Sequence, residues 1–316
     1  MAFCRTLTNL LLSGTIALVS AAHAAGITVH DARNREVAVN DFARTVSIGG
    51  AITEILYALG LESRLVGVDT TSLYPPAALR DKPNVGYMRQ ISAEGVLGLN
   101  PTLILAIQGS GPRETMDILE TAKVPLVLVP ETFSEEGLID KIKLVGHAMG
   151  VDARAECLSA AVGADLAQLR ALRAKVTKPV RVMFVMSLQN GRAMVAGHKT
   201  AADEIIQLAG AANAVDDYDG YKVISDEAIV AAKPDVVLSI ERGKESLQAD
   251  AIYAHPGFAL TPVAANKSFI TMDGLYLLGF GPRTAAAARD LSVKLYPALA
   301  EGGAFTSALS AANCRQ

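Results

Sequence analysis

The same alternation of strands and helices occurs on both sides of a long helical stretch, and this arrangement restricts the fold more than any other feature. Apolar runs such as 45–48 and 103–107 alternate with helical segments early in the chain, and the alternation resumes after Pro179. From Ser134 to about Lys175, apolar residues recur at helical spacing without a strand pattern. Alternating strands and helices indicate parallel sheets with right-handed crossovers. We therefore predict an α/β protein of two lobes, each a mainly parallel sheet flanked by helices, joined by a long helical bridge.

The two halves also share a local motif. Ile91-Ser92-Ala93-Glu94 aligns with Ile224-Ser225-Asp226-Glu227, and Pro101 aligns with Pro234 at the same offset. Units of helix, proline and strand often look alike, but the shared Ser-x-Glu favours a duplication. Serine is a preferred N-cap, and an acidic residue is favoured in the first helical turn. The repeat therefore predicts one helix in each lobe that begins with a capped glutamate.

Length and composition agree with two lobes and exclude one class of partner. The chain has 316 residues, 51% of them hydrophobic, which is enough for two cores. The net charge of −3 and the lack of a basic run argue against nucleic-acid binding. The predicted boundaries are a signal peptide over 1–24, a first lobe over 25–133, a helical bridge over 134–178 and a second lobe over 179–316.

The N-terminal segment has the pattern of a secretory signal peptide. A weakly basic start that ends at Arg5 precedes an apolar stretch over 10–20 and the cleavage motif Ala22-His23-Ala24. The apolar stretch is too short to cross a bilayer. We predict cleavage near Ala24 and export to the periplasm, with no stable membrane insertion.

The cysteines leave one question open. Cys4 lies in the predicted signal peptide, so Cys157 and Cys314 remain in the exported protein. Two cysteines in an oxidising compartment can pair, but Cys314 lies close to the chain end, where a frayed tail would keep the thiols apart. The sequence alone is compatible with both states.

Five segments together resemble the periplasmic haem-binding proteins of Gram-negative haem ABC importers, which are substrate-binding proteins with a helical backbone. The segments are Ser47 to Ile55, Val68 to Ser72, Val85 to Arg89, Val195 to Asp203 and Leu278 to Arg283. The likeness covers nearly the whole mature chain, and Gly-Tyr-Met-Arg followed by Ser-Ala-Glu-Gly is its most specific part. Capped glutamates and Gly-Pro-Arg also occur in siderophore and cobalamin binding proteins of the same fold, so those ligands are the alternative.

The resemblance implies a receptor that binds ferric haem b in a cleft between the lobes and delivers it to an inner-membrane ABC permease. The axial tyrosine of the family falls on Tyr87, its neighbouring arginine on Arg89, and an arginine of the other lobe on Arg242. Some members add a histidine from a loop that corresponds to 187–191, but this loop contains no histidine. We therefore expect Tyr87 to be the only protein ligand to the iron.

A tyrosine suits this chemistry, although a lone tyrosine beside methionine is by residue type more often a half-buried core residue. A free phenol has a pKa of about 10, but a phenol that coordinates ferric iron loses its proton, and tyrosinate is a known axial haem ligand. Arg89 or Arg242 would stabilise the phenolate or bind the propionates. Met88 and Tyr74 are expected to contact the macrocycle. His198, in a predicted turn, is a weaker candidate for a second iron ligand.

Glu94 and Glu227 are the candidate partner-binding residues. In the resembling proteins, one glutamate of each lobe contacts an arginine pocket on the permease dimer. The helix dipole is an adequate structural reason for both glutamates, but their matched positions favour docking. We expect a monomer whose stiff helical bridge limits lobe closure. The sequence contains no Gly-x-Ser-x-Gly motif and no cluster with metal-ligand spacing, which argues against an enzyme such as a periplasmic hydrolase.

Overall fold

The chain folds into two lobes, each with its own sheet flanked by helices, which confirms the predicted fold class. The computed structural model describes residues 26–241, 243–302 and 305–316. The predicted signal peptide and Arg242 therefore lie outside the described residues. Within the described ranges, none of the helices has both the length and the apolar character to cross a bilayer. The exact lobe boundaries remain a prediction.

The first lobe contains a four-stranded parallel sheet and two small antiparallel hairpins. Its strands are β1 (Ile27–His30), β2 (Glu36–Val39), β3 (Thr45–Ile48), β4 (Leu65–Val68), β5 (Gly86–Tyr87), β6 (Gln90–Ile91), β7 (Leu103–Ile107) and β8 (Leu126–Val129). The main sheet has the order β4-β3-β7-β8, with all neighbours parallel. Every residue of β3, β7 and β8 is buried, because helices cover both faces of the sheet.

The second lobe contains a six-stranded mixed sheet. Its strands are β9 (Arg181–Gln189), β10 (Arg192–Ala196), β11 (Ala212–Asn213), β12 (Tyr221–Ile224), β13 (Val236–Glu241) and β14 (Phe269–Asp273). The order is β12-β10-β9-β13-β14, and β11 also pairs with β9. Strands β9, β11, β13 and β14 are parallel, whereas β10 is antiparallel to both of its neighbours.

Helices cover both sheets and join the lobes. They are α1 (Gly50–Ala58), α2 (Ala77–Asp81), α3 (Ala93–Leu97), α4 (Arg113–Thr121), α5 (Glu135–Ala148), α6 (Asp152–Arg173), α7 (Ala201–Leu208), α8 (Asp226–Ala232), α9 (Ala249–Tyr253), α10 (Pro256–Ala259), α11 (Pro262–Asn266), α12 (Gly274–Leu278), α13 (Thr284–Leu295) and α14 (Ala308–Ala311). Helices α5 and α6 form the bridge, and Gly150, with a φ of 66°, separates them. The largest hydrophobic cluster includes both bridge helices and residues of both lobes.

In the second lobe, strand β9 continues to Gln189, and only Asn190 and Gly191 turn the chain, both with positive φ. This is the Asn-Gly sequence that two-residue hairpins favour. Strand β12 ends at Ile224, and the next helix begins at Asp226 after its N-cap Ser225.

The two remaining cysteines form a disulfide, which resolves the question that the sequence left open. Cys157 lies in α6, and its Cα is 5.6 Å from that of Cys314. The tail is not frayed, because it folds back onto α6. The buried Asp165 accepts hydrogen bonds from the Ser307 hydroxyl at 2.7 Å and the Ala308 N–H at 2.6 Å.

The lobes contact each other through charged groups that are largely withdrawn from water. Arg283 of the second lobe binds the buried Glu54 of α1 through two hydrogen bonds, of 3.0 Å from Nε and 2.9 Å from Nη2. Lys141 of α5 donates to Glu131 at 2.6 Å and to the Phe280 carbonyl at 3.2 Å. These contacts connect the carboxyl ends of the first sheet to the second lobe.

Candidate ligand-binding site

The β5–β6 hairpin fixes Tyr87 at the carboxyl edge of the first sheet. Gly86 has a φ of 102°, a region that favours glycine, and its carbonyl accepts a hydrogen bond from the Thr70 N–H at 2.9 Å. On the other side, the Gly111 N–H donates to the Met88 carbonyl at 3.0 Å. The loops after β4 and β7 therefore position the hairpin from both sides.

The hairpin turn brings the predicted pair Tyr87 and Arg89 together. The Arg89 Nη1 donates to the Tyr87 phenolic oxygen at 2.8 Å, and the Tyr87 side chain is 40% exposed. A phenolic oxygen in this position keeps a lone pair and an ionisable proton available toward solvent. The arrangement can present an oxygen ligand to a Lewis acid while a cation stabilises the negative charge that develops.

The loop after β4 forms the neighbouring wall and reaches the second lobe. Leu73 and Tyr74 are both large and exposed. The Arg283 guanidinium lies 3.5 Å from the centroid of the Tyr74 ring while it also binds Glu54. Tyr74, predicted to contact a ligand, therefore lies at the boundary between the lobes with one ring face covered by an arginine.

Met88 occupies a different environment from Tyr87. It is half-buried, packs against both hydrophobic clusters that extend into the first lobe, and its sulfur lies 3.9 Å from the Thr71 hydroxyl oxygen. The Met88 side chain therefore attaches the hairpin to the hydrophobic core. Its predicted contact with a ligand remains a prediction.

The second lobe contributes an exposed apolar wall and a polar depression. Among the described residues, the exposed large hydrophobic side chains are Leu73, Tyr74, Tyr87, Ile118, Tyr221, Val223 and Leu260. All but Ile118 and Leu260 belong to the hairpin, the loop after β4 or strand β12. The side chains that line the depression are Ser187, Gln189, Asn190, Arg192, Met194 and Val223. Val223 of β12 therefore places an exposed apolar side chain beside the polar groups of the depression.

Similarity to known proteins shows to which family this architecture belongs. The profile of the family described as periplasmic binding protein matches residues 46–276, which is well over half of the chain. The chain belongs to the periplasmic binding protein family. This periplasmic binding protein is also similar to solved structures and curated sequences with known ligands.

Two solved structures support the resemblance found in the sequence. The periplasmic haem-binding protein RhuT from Roseiflexus sp. RS-1, in its apo form, is 40% identical with a TM-score of 0.77, over 82% of this chain and 100% of that chain. The periplasmic haem-binding protein BhuT in complex with two haems is also 40% identical with a TM-score of 0.77, over 81% of this chain and 98% of that one. The vitamin B12-binding protein of Yersinia pestis is 27% identical over 78% of this chain and 84% of its own length.

In this periplasmic binding protein, each ring nitrogen of His198 has an oxygen partner within hydrogen-bonding distance. Nδ1 lies 3.3 Å from an Asp203 carboxylate oxygen and Nε2 lies 3.2 Å from the Asp216 carbonyl oxygen. The hydrogen bond with Asp203 raises the pKa of His198. The geometry leaves no free nitrogen for a metal, and the described residues contain no group of three or more His, Cys, Asp or Glu that could bind one.

Tyr276, whose ring centroid lies 5.1 Å from the Arg283 guanidinium, has a different environment from Tyr87. Burial, followed by the hydrogen bond of 2.9 Å that its hydroxyl donates to Asp290, raises the pKa of Tyr276. This phenol is half-buried and hydrogen-bonded to Asp290 within the second lobe. Tyr87 instead faces solvent next to a cation.

The two predicted docking glutamates occupy matching positions, as the repeat implies. Glu94 lies in the first turn of α3 and Glu227 in the first turn of α8, and both are exposed. Ser92 and Ser225 cap these helices, each accepting a backbone hydrogen bond at 3.3 Å. A hydrogen bond with Ser225 lowers the pKa of Glu227, which keeps this carboxylate ionised.

In the second lobe, sequence reasoning named Arg242, which lies outside the described residues, and missed other candidate residues. Neither Arg192 nor the exposed Tyr221 and Val223 of β12 were among the predicted residues. The repeat contained a signal for β12, because continuing it upstream of Ile224 aligns Tyr221 with Met88 of the tyrosine hairpin. No comparable signal in the sequence indicates Arg192.

Proposed function

We propose that this periplasmic binding protein is a haem receptor that binds ferric haem between its lobes and delivers it to an inner-membrane ABC permease. The observation that carries the proposal is the exposed Tyr87, whose phenolic oxygen lies 2.8 Å from the Arg89 guanidinium nitrogen. The 40% identity to RhuT and BhuT, both described as haem-binding, supports it. The protein acts as a monomeric carrier, and no catalysis is part of the proposal.

The chemistry of binding follows from the hairpin. The Tyr87 phenol releases its proton to solvent as its oxygen coordinates the ferric iron, which makes tyrosinate the axial ligand. Arg89 compensates the negative charge on that oxygen and so favours coordination over the free phenol. Leu73, Tyr74 and Met88 provide apolar contacts to the macrocycle, and Arg242 of the second lobe adds a further cation.

Titration of the purified protein with ferric haem b tests the proposal. We expect a high-spin spectrum with a tyrosinate-to-iron charge-transfer band, which the Tyr87→Phe variant loses. The matched control is Tyr253→Phe, because the Tyr253 hydroxyl donates to the Lys267 carbonyl at 2.8 Å, in the α9–α11 region of the second lobe. A Tyr87→Phe protein with wild-type affinity and an unchanged spectrum would disprove the proposal.

A corrinoid or a ferric siderophore is the second candidate ligand, because the vitamin B12-binding relative is 27% identical to this chain over 251 residues. Such ligands bring a metal that is already fully coordinated, so the exposed pair of Tyr87 and Arg89 would have no metal to bind. Parallel titrations with cyanocobalamin and a ferric siderophore distinguish the candidates. Tight binding of either, together with no spectral change on addition of haem, would favour this alternative.

Delivery to the permease is proposed to depend on Glu94 and Glu227. Both are exposed first-turn carboxylates, one in each lobe, and Glu94 follows the tyrosine hairpin directly. The double variant Glu94→Lys/Glu227→Lys should bind haem normally but fail to support uptake through a reconstituted permease. Glu156→Lys/Asp250→Lys, which reverses two other exposed helix carboxylates, is the control. Normal uptake by the first variant would exclude these residues as docking points.

A further inference from the structure

We propose that Arg192 of the second lobe binds a propionate carboxylate of the haem whose iron Tyr87 ligates. This interaction would make the site selective for porphyrins with free carboxylates. The inference rests on the proposed haem-binding function and assigns the ligand group that the second lobe recognises. It concerns the polar depression at the end of the β9–β10 hairpin.

A bulge in β9 immediately precedes the residues of this strand that line the depression. Ser187 pairs with Met194, but the next pair along the ladder joins Val185 to Val195, so Met186 is an extra residue. A bulge of this kind changes the face toward which the following side chains point. Ser187 and Gln189 consequently line the same depression as Arg192 and Met194.

Arg192 is available for a ligand. Its side chain is exposed and has no hydrogen-bond or ion-pair partner among the residues that the structure describes. A guanidinium presents several N–H donors in a planar fork that matches a carboxylate. The side chains around it are a hydroxyl, two amides and two apolar groups, and no acidic side chain lines the depression. The local charge therefore favours an anion.

The depression lies at the edge of the second sheet from which this lobe contacts the first lobe. Strand β9 runs parallel to β13 and β14, so its carboxyl end lies at the same edge of the sheet as theirs. Helix α12, which follows β14, approaches the first lobe so closely that a Cβ on Gly50 would lie 2.7 Å from Leu275. The depression thus lies on the edge directed toward the first lobe.

The chemistry of the lining matches a porphyrin with carboxylates. Met194 and the exposed Val223 supply apolar surface next to Arg192. Haem combines a flat apolar ring with two carboxylates on one side, so an apolar wall beside one cation fits that side of the ring. Cobalamin carries amides in place of most carboxylates and would gain less from the guanidinium.

Comparing ferric haem with its dimethyl ester tests the inference, because the ester keeps the iron and the ring but lacks the charges. We expect Arg192→Gln to raise the Kd for haem about tenfold, the effect of losing one charge-assisted hydrogen bond, and to leave the Kd for the ester unchanged. Lys222→Gln is the control. Lys222 neighbours Val223 on β12, but its Nζ lies 4.5 Å from the centroid of the Tyr218 ring instead of in the depression.

A second variant keeps the test decisive if Arg192→Gln folds poorly. Gln189 pairs directly with Arg192 across the hairpin, so Gln189→Glu should neutralise the guanidinium and produce the same selective loss for haem. An equal change in Kd for haem and ester, or no change for haem, would overturn the inference. A wild-type protein that binds neither ligand would instead overturn the proposed function, so the two failures are distinguishable.

Discussion

At the scale of single residues, the local environment distinguishes two tyrosines of the same chain. Tyr87 and Tyr276 carry the same phenol, but Tyr276 is half-buried and donates to Asp290, whereas Tyr87 is exposed and accepts from Arg89. A guanidinium next to a phenolic oxygen stabilises its ionised form, and a carboxylate next to it has the opposite effect. The turn in the short Gly-Tyr-Met-Arg segment places Arg89 beside Tyr87. This segment alone therefore gives Tyr87 an environment that differs from that of Tyr276.

Replacing Arg89 with Gln should weaken haem binding without abolishing iron coordination. The variant loses one charge-assisted hydrogen bond to the phenolate, which corresponds to about 2 kcal/mol, or between tenfold and a hundredfold in Kd. The tyrosinate charge-transfer band should remain. Haem titration followed by absorbance measures both quantities, with Arg80→Gln as a control for loss of a surface arginine. Equal Kd values for wild type and Arg89→Gln would contradict this account of the pair.

His198 should make stability depend on pH in a defined direction. The hydrogen bond with Asp203 raises the pKa of His198 above its unfolded value of about 6.5. The protonated ring therefore contributes stability that is fully present below about pH 6.5 and is lost as the pH rises through the folded pKa. The difference in Tm between wild type and His198→Gln should be larger at about pH 5.5 than at about pH 8.5. A difference that stays constant over this range would contradict the prediction.

At the scale of elements, helices and buried strands were predictable, and cross-strand geometry was not. The five apolar residues of β7 could only form a buried strand between two helices, and Ser92 marked the start of α3. The depression around Arg192 could not be predicted, because Ser187 and Gln189 face the same side as Arg192 only through a bulge at Met186 of β9. One additional residue in a strand moves the side chains that follow it to the opposite face of the sheet. Neither the composition nor the hydrophobic periodicity of the sequence indicates where this happens.

The disulfide should stabilise the helical bridge and the C-terminal segment together. It joins Cys157 in α6 to Cys314, closing a loop with a sequence separation of 157 residues. Long loops lose much entropy when they are closed in the unfolded chain. The double variant Cys157→Ser/Cys314→Ser should lower the free energy of unfolding by about 2–4 kcal/mol.

Equilibrium denaturation in urea measures this loss, and reduced wild-type protein is the control that changes no residue. The variant and the reduced protein should have matching midpoints. A variant as stable as the oxidised wild type would show that Asp165 and the packing of α14 on α6 are sufficient to keep the tail in place.

At the scale of the whole molecule, a pair of charges connects the lobes. Glu54 is 5% exposed, and its partner Arg283 also stacks on Tyr74 at the site boundary. The predicted stiff bridge is therefore assisted by a second connection close to the candidate cleft. Limited lobe closure on ligand binding remains a prediction, which small-angle scattering with and without haem can test.

Arg283→Met should destabilise the protein by about 3 kcal/mol, because it leaves the Glu54 carboxylate buried without its partner. The double variant Glu54→Gln/Arg283→Met should recover part of this loss, since no buried charge then remains uncompensated. Thermal and urea denaturation measure both effects. Arg289→Met, which removes a partly exposed pair with Asp290, should cost less than about 1 kcal/mol. Similar losses for Arg283→Met and Arg289→Met would show that the interlobe pair has no special role.

The tyrosine hairpin over 86–91 adds no strand to the main sheet, and backbone contacts with Thr70 and Gly111 attach it to the rest of the lobe. We therefore expect this unit to be transferable between related proteins. Under the proposed function, grafting these few positions onto a relative with a different ligand should give that protein an iron-binding oxygen while its scaffold stays unchanged. Exchange of one short loop would then be a route by which receptors of this architecture acquire a new ligand.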